Sequence, residues 1–187
     1  MQRLKNLQRL PTNKGDTMIL ETIADANRVR YEEIEKQVPF EVIKQKSLSM
    51  ETENEFPIDM ALAGKDISFI CEVKKASPSK GIIAEDFPYV QIAKDYENAG
   101  ASAISVLTEP KWFKGENAFL EEISKNVSIP LLRKDFTVCE YQIYEAKTIG
   151  ASAVLLICSL LDTDTLRRWF KLCASLGHSA LVEATTA

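Results

Sequence analysis

Apolar segments rich in β-branched residues alternate with amphipathic segments along most of this 187-residue chain, and this alternation restricts the fold more than any other feature. The apolar segments predict five strands, and the amphipathic segments between them predict four helices. Strands that alternate with helices form βαβ units, which place the strands parallel in one sheet. The predicted strands are Ile67–Val73, Ala103–Leu107, Ile129–Leu132, Ala153–Cys158 and Ala180–Val182, and the predicted helices are Tyr89–Asn98, Ala118–Asn126, Glu140–Thr148 and Asp164–Ser175.

The units also repeat in sequence. Gly-Ala-Ser-Ala occurs at 100–103 and 150–153, with a looser copy at 177–180, and each copy precedes a predicted strand. A glycine suits the left-handed backbone that ends a helix. Such a repeat favours a (βα)₈ TIM barrel, which has eight units in about 250 residues. We therefore predict an α/β fold, an incomplete barrel with strands one to five. A doubly wound sheet is the alternative, although the turn at 75–81 lacks its usual GxGxxG spacing.

The first 17 residues carry four basic side chains and one acidic side chain. They lack the apolar region of a secretory signal and the serine enrichment of a transit peptide. We expect either a disordered basic leader or an upstream start misread ahead of Met18. The predicted domains are therefore a leader at 1–17, a helical extension at 18–64 and a partial (βα)₈-barrel domain at 65–187.

Within the extension, apolar residues at 3- and 4-residue spacing predict an extra N-terminal helix from Met18 until Pro39. The polar stretch at 45–55 predicts a connector. A short helix is expected at Pro57–Leu62, ended by Gly64.

Composition excludes several functions. The formal net charge of −4 argues against a nucleic-acid-binding surface, and no apolar stretch is long enough to cross a membrane. Four cysteines without a CxxC pair and a single histidine give no basis for a metal site, and we find none for an organic cofactor. Nothing indicates an oxidising compartment, so we expect a cytoplasmic protein.

Charged residues end three of the predicted strands, where a barrel carries its function. Glu72 and Lys74 are two residues apart and therefore share one face of the first strand. Lys134 lies just past the third predicted strand and Glu183 just past the fifth. For any one of these residues alone, a solvated strand end or a structural ion pair explains the charge as well as a catalytic role does. Alternate strands, however, supply the same layer of a barrel, so Glu72, Lys134 and Glu183 are predicted to converge in one pocket, where proximity permits acid and base roles.

Four ordered segments carry a family resemblance. The stretch Phe69–Gly81, with its specific Glu-x-Lys-x-x-Ser-Pro-Ser motif, is similar to the first-strand signature of the indole-3-glycerol-phosphate synthase family. The later matches are Ala103–Glu109 followed by Trp112–Gly115, then Leu131–Phe136 and Leu181–Glu183. The resemblance implies a carbon–carbon lyase of tryptophan biosynthesis. That enzyme converts 1-(2-carboxyphenylamino)-1-deoxyribulose 5-phosphate to indole-3-glycerol phosphate, with loss of carbon dioxide and water.

The resemblance also implies residue roles. Lys134 is expected to be the general acid that protonates the ribulose carbonyl, and Glu183 the base or proton relay in the dehydration. Glu72 is expected to orient this network. Lys74 is expected to hold an anionic group of the substrate.

Four further residues are implied in substrate binding. Ser77 is expected to assist from the loop after the first strand. Phe113 and Phe136 are expected to form the apolar pocket around the anthranilate ring, although core packing explains Phe113 equally well. Leu155 is expected to line the same pocket from strand four.

The resemblance also implies three further units, with an asparagine and the phosphate-binding loops, beyond strand five. We therefore expect this chain alone to have little or no activity and to aggregate through its exposed sheet edges. The expected partner is a phosphorylated small molecule, and other tryptophan-pathway enzymes are possible partners. The alternatives are a barrel aldolase with Lys134 as Schiff-base nucleophile, and a non-catalytic assembly fragment.

Overall fold

Seven helices and seven strands follow one another in the described part of the chain. The structure, a computed structural model, describes residues 14–52 and 56–184, with side chains from Ile19 onward. The helices are α1 (Lys14–Gln37), α2 (Phe40–Ser49), α3 (Pro57–Leu62), α4 (Tyr89–Asn98), α5 (Asn117–Ser124), α6 (Glu140–Thr148) and α7 (Thr163–Ser175). The strands are β1 (Ile70–Val73), β2 (Ala76–Ser77), β3 (Gly81–Ile82), β4 (Ala103–Leu107), β5 (Leu131–Lys134), β6 (Ala153–Ile157) and β7 (Ser179–Glu183).

The main sheet has the strand order β1-β4-β5-β6-β7, and every neighbouring pair is parallel. The five strands therefore follow one another across the sheet in the same order as along the chain. In a doubly wound sheet, by contrast, the strand order reverses at a switch point. This order confirms the barrel-type α/β prediction and excludes the doubly wound alternative. Strands β2 and β3 form a separate antiparallel hairpin directly after β1.

The N-terminal region differs from the prediction in two places. Helix α1 begins at Lys14, inside the stretch predicted as leader, because the polar first turn of a helix carries no apolar spacing to mark it. Residues 1–13 lie outside the described part of the chain. The connector predicted at 45–55 is wrong for residues 45–49, which belong to α2. Helix α2 buries only Ile43 and Ser47, so its apolar stripe is too narrow to recognise in the sequence.

The repeated glycines have the predicted conformation. Gly100, Gly150 and Gly177 have φ values of 89°, 87° and 76°, in the left-handed region that ends a helix. At Gly150 a Cβ atom would lie 2.5 Å from the Ser124 side-chain oxygen, so the position also requires a residue without a side chain. The glycine therefore lets α6 end and β6 begin close against α5.

The core lies on both faces of the sheet. The larger cluster lies between the sheet and its helices, and α1 and α2 reach it through Tyr31 and Ile43. A smaller cluster joins Ile58 of α3 to Ala103 and Leu132. The Ser179 hydroxyl, at the start of β7, also donates a 2.6 Å hydrogen bond to Asp59 of α3. Helix α3 therefore lies near the amino ends of the strands, which leaves their carboxyl ends to form the candidate site.

Within the described part of the chain, β1 and β7 are the edges of the main sheet, and both carry exposed apolar side chains. Phe69 beside β1 is 61% exposed, and Leu181 and Val182 in β7 are 42% and 40% exposed. Among the described helices, none is both long and apolar enough to cross a lipid bilayer.

Candidate active site

A carboxylate flanked by two lysines lies at the carboxyl ends of the strands. Glu72 lies in β1 and Lys134 ends β5, with β4 between the two strands. Glu72 Oε2 accepts a hydrogen bond from Lys134 Nζ at 3.0 Å, and Glu72 Oε1 accepts one from Lys74 Nζ. Burial alone would raise the pKa of Glu72, but the hydrogen bonds from Lys74 and Lys134 outweigh it and lower that pKa below its ordinary value. The carboxylate therefore stays ionised and holds both ammonium groups in the pocket.

Apolar side chains form the wall of the same cavity, which has a volume of about 240 Å³. Phe113 follows β4 and Phe136 follows β5, and their ring centroids are 6.0 Å apart with an interplanar angle of 40°. Tilted rings at this distance are typical of stabilising aromatic pairs. Leu107, Leu155 and Ile157 line the cavity from the strands, and Leu20 lines it from α1. The cavity thus places an apolar wall beside the ionic group.

The structure brings seven of the eight predicted site residues to this cavity. Glu183, which ends β7 opposite Ile157, is exposed and lines the cavity. Ser77 is the exception, since it lies in the β2–β3 hairpin and is not among the described residues that line the cavity. Its hydroxyl accepts a 3.3 Å hydrogen bond from the backbone N–H of Lys80.

Beneath the site lies a buried ionic network that sequence reasoning missed. Arg133 points to the helix side of β5 and is 2% exposed. Its Nη2 donates to Glu145 at 2.8 Å, to Asn117 at 2.8 Å and to the Tyr31 hydroxyl at 2.7 Å. Burial would lower the pKa of Arg133, but Tyr31, Glu145 and Asp135 raise it above its ordinary value. The only sequence signal was a run of three charged residues where an apolar strand should end.

Two buried acids beside the site were also missed. Asp135 lines the cavity and is 2% exposed, and Glu109 is 1% exposed. Glu109 comes two residues after β4 and Asp135 comes directly after β5, and this position at a strand end is the signal that could have identified them. Among the described residues, no group of three or more His, Cys, Asp or Glu side chains could hold a metal ion.

Comparison with known proteins gives one consistent family. The family model described as indole-3-glycerol phosphate synthase matches residues 20–187. Curated proteins with that name are 54% identical over 167 residues in Ruminiclostridium cellulolyticum, 50% over 167 residues in Endomicrobium trichonymphae and 45% over 177 residues in Lachnoclostridium phytofermentans. Each match covers 89% of this chain, but only 64%, 65% and 65% of the respective relative. On this agreement along nearly its whole length, the chain belongs to the indole-3-glycerol phosphate synthase family.

Proposed function

We propose that this chain carries the general acid, the base and the aryl-binding wall of an indole-3-glycerol phosphate synthase. The reaction closes the pyrrole ring of 1-(2-carboxyphenylamino)-1-deoxyribulose 5-phosphate, with loss of carbon dioxide and water. One observation carries the proposal: Glu72 pairs with both Lys74 and Lys134 in a cavity that also contains the Phe113–Phe136 pair. Such a cavity suits a substrate that joins an aromatic ring to an anionic, oxygen-rich chain.

Lys134 is the proposed general acid. Its ammonium donates to Glu72 at 3.0 Å and is 39% exposed, so it is held in place yet reachable by a substrate. As the ring carbon attacks the ribulose carbonyl carbon, Lys134 gives a proton to the carbonyl oxygen, which becomes a hydroxyl. The carboxyl group then leaves as carbon dioxide and its bonding electrons restore the aromatic ring. Lys134 is suited to this step because its cation faces the oxygen on which negative charge develops.

Glu183 is the proposed base for the dehydration that follows. It lines the cavity from β7, the opposite edge of the sheet from β1. A base there removes a proton from the carbon beside the hydroxyl-bearing carbon, while the hydroxyl takes up a proton and leaves as water, so that a carbon–carbon double bond forms and the proton count balances. Glu72 orients both lysines, and Lys74 offers the second cation for the substrate carboxylate or phosphate. Ser77 assists from the hairpin only if the hairpin moves toward the cavity, since it does not line the cavity in this structure.

The aromatic ring of the substrate is proposed to bind against Phe113, Phe136 and Leu155. All three line the cavity, and the two phenylalanine rings are close enough to contact one ligand together. Burial of an aromatic ring against such a wall contributes roughly 1.5–3 kcal/mol to binding. The predicted cytoplasmic location and the possible contacts with other tryptophan-pathway enzymes remain predictions.

The test uses this chain fused to the part of the Ruminiclostridium cellulolyticum protein that follows the match. Indole-3-glycerol phosphate formation is followed by its fluorescence in the unsubstituted fusion, in Lys134→Met and in Lys171→Met. Lys171 is an exposed lysine on α7 and serves as the matched control. We expect turnover in the unsubstituted fusion and in Lys171→Met, and a loss of about 10²-fold or more in Lys134→Met. Full turnover in Lys134→Met would refute the assignment of the acid. Trapping of a carbonyl substrate on Lys134 by borohydride would favour the aldolase instead.

A further inference from the structure

Two buried carboxylates lie beside the aromatic wall of the cavity, and neither one forms a hydrogen bond or ion pair with Glu72, Lys74 or Lys134. Glu109 lies two residues after β4 and Asp135 lies one residue after β5. They are 1% and 2% exposed. A buried carboxylate is costly unless it accepts hydrogen bonds or faces a cation. The partners of these two acids therefore indicate what they do.

Glu109 binds the loop that carries Phe113. Its carboxylate accepts the backbone N–H groups of Lys111 at 2.9 Å, Trp112 at 2.8 Å and Phe113 at 3.0 Å. The loop is also wound tightly against β4, because a Cβ atom at Gly115 would lie 2.3 Å from the Leu107 carbonyl oxygen. The backbone position of Phe113 is therefore set by Glu109 from one side and by β4 from the other.

Asp135 fixes the backbone of Phe136 in a similar way. Its Oδ1 accepts the N–H of Phe136 at 2.8 Å and the side-chain amide of Asn27 at 2.8 Å. Asn27 also donates to the Phe136 carbonyl at 3.0 Å, and Gln142 donates to the same carbonyl at 3.1 Å. Both polar groups of the Phe136 backbone are thus held by buried side chains, one of which comes from α1.

The second oxygen of Asp135 ties this arrangement to the rest of the fold. Oδ2 accepts from Thr108 Oγ1 at 2.9 Å and from Arg30 Nη2 at 2.8 Å. Thr108 directly follows β4 and precedes Glu109, so the two acids and their loops are joined through adjacent residues. A shift of either carboxylate would therefore change the distance between the two phenylalanine rings.

We propose that Glu109 and Asp135 are positioning residues that hold Phe113 and Phe136 at the separation needed to receive the aryl group of the substrate. The inference rests on the proposed function, because it assigns these rings to the substrate. Stability alone does not require the Asp135–Arg30 ion pair, since apolar side chains of similar volume often stabilise a protein as well as a buried ion pair does. The two acids act through the rings and not on the reacting atoms.

The first test is a double-mutant cycle in the fusion described above. Asp135→Asn keeps the shape of the side chain but removes its charge, and Glu109→Gln does the same in the other loop. We expect each to lower kcat/KM by about tenfold or more, because a small misplacement of a binding group has effects of this size. In a Phe136→Leu background, Asp135→Asn should lower kcat/KM by less than about twofold, and Glu109→Gln should behave likewise with Phe113→Leu. Glu121→Gln, which removes an exposed acid paired with Lys125, is the control with unchanged kcat/KM.

If each acid variant lowers kcat/KM as much in the phenylalanine-to-leucine background as in the unsubstituted fusion, the inference is overturned. A general loss of structure would give that result, because it does not depend on the ring. The two cycles are independent, so a variant that fails to fold in one loop leaves the other decisive. The second test separates the inference from the proposed function. Saturation-transfer NMR measures the binding of 2-aminobenzoate to the same fusion, so this test needs no turnover. We expect the ring protons of 2-aminobenzoate to receive saturation from the unsubstituted fusion, and to receive much less from both acid variants. If the fusion shows no turnover, the proposed function fails. Unchanged saturation in both acid variants, or none in the unsubstituted fusion, refutes the positioning role.

Discussion

The replacement of Arg133 by methionine should be the most destabilising single change in the described part of the sheet. The guanidinium is 2% exposed and donates to Tyr31, Glu145, Asn117, Thr108 and the Gln142 carbonyl. Methionine fills a similar volume but leaves the Glu145 carboxylate without its cation. Removal of one partner from a buried ion pair costs about 3–5 kcal/mol, because the remaining charge has lost both water and its counter-ion.

The measurement is urea unfolding followed by circular dichroism. With a slope of about 2 kcal/mol per molar urea, a loss of 3–5 kcal/mol lowers the midpoint by roughly 1.5–2.5 M. Tyr31→Phe, which removes a single hydroxyl from the same network, should cost only about 1 kcal/mol. This variant controls for damage to packing around the arginine.

A second variant tests the electrostatic origin of the effect. In Arg133→Met combined with Glu145→Gln, no full charge is left unpaired at that pair, so the double variant should recover at least half of the stability lost by Arg133→Met. A cost below about 1 kcal/mol for Arg133→Met would refute the reasoning. A double variant less stable than Arg133→Met would refute it as well.

Three further predictions concern pH, a tight turn and the sheet edges. Burial and nearby Lys147 lower the pKa of His178 to about 4 from 6.5, so the unfolded chain binds the proton first. The contribution of His178 to the free energy of unfolding should therefore be fully present above pH 6.5 and fall by about 3 kcal/mol as the pH drops to 4. Urea midpoints that fall equally in His178→Gln would contradict this. Gly115→Ala should lower the free energy of unfolding by about 1–3 kcal/mol because its Cβ atom would overlap the Leu107 carbonyl, and an unchanged urea midpoint would show that the turn relaxes. The chain should self-associate at micromolar concentration in sedimentation velocity, less so after Leu181→Lys, and a monomer at every concentration would count against exposed edges as its cause.

The sheet and its helices were predictable because their apolar spacing is strong and their ends carry clear signals. Helices α4 and α6 have the predicted bounds, and Asp162 caps α7 by accepting the N–H groups of Asp164 and Thr165. The convergence of Glu72 and Lys134 followed from barrel geometry. The first and third predicted strands, which are β1 and β5 in the structure, are alternate strands that contribute to one layer.

The rest depended on contacts that the local sequence does not contain. Asp135 receives hydrogen bonds from Asn27, Arg30 and Thr108, and two of these residues are more than 100 positions away along the chain. Helix α2 has too few buried residues to give a periodic pattern, and its tertiary packing, through Ile43 in the core and Phe40 against Tyr144, shows why it forms. Ser77 was placed from the resemblance alone, and it lies in the β2–β3 hairpin, not among the described residues that line the cavity.

The most direct test of the proposed function measures carbon dioxide and indole product together. The fusion is supplied with 1-(2-carboxyphenylamino)-1-deoxyribulose 5-phosphate that carries a ¹⁴C label in its carboxyl group. Ring closure driven from Glu72, Lys134 and Glu183 predicts one labelled carbon dioxide for each indole-3-glycerol phosphate formed, with both products formed about 10²-fold or more slowly in Lys134→Met. Consumption of the substrate with the label retained in a non-indole product would contradict the account.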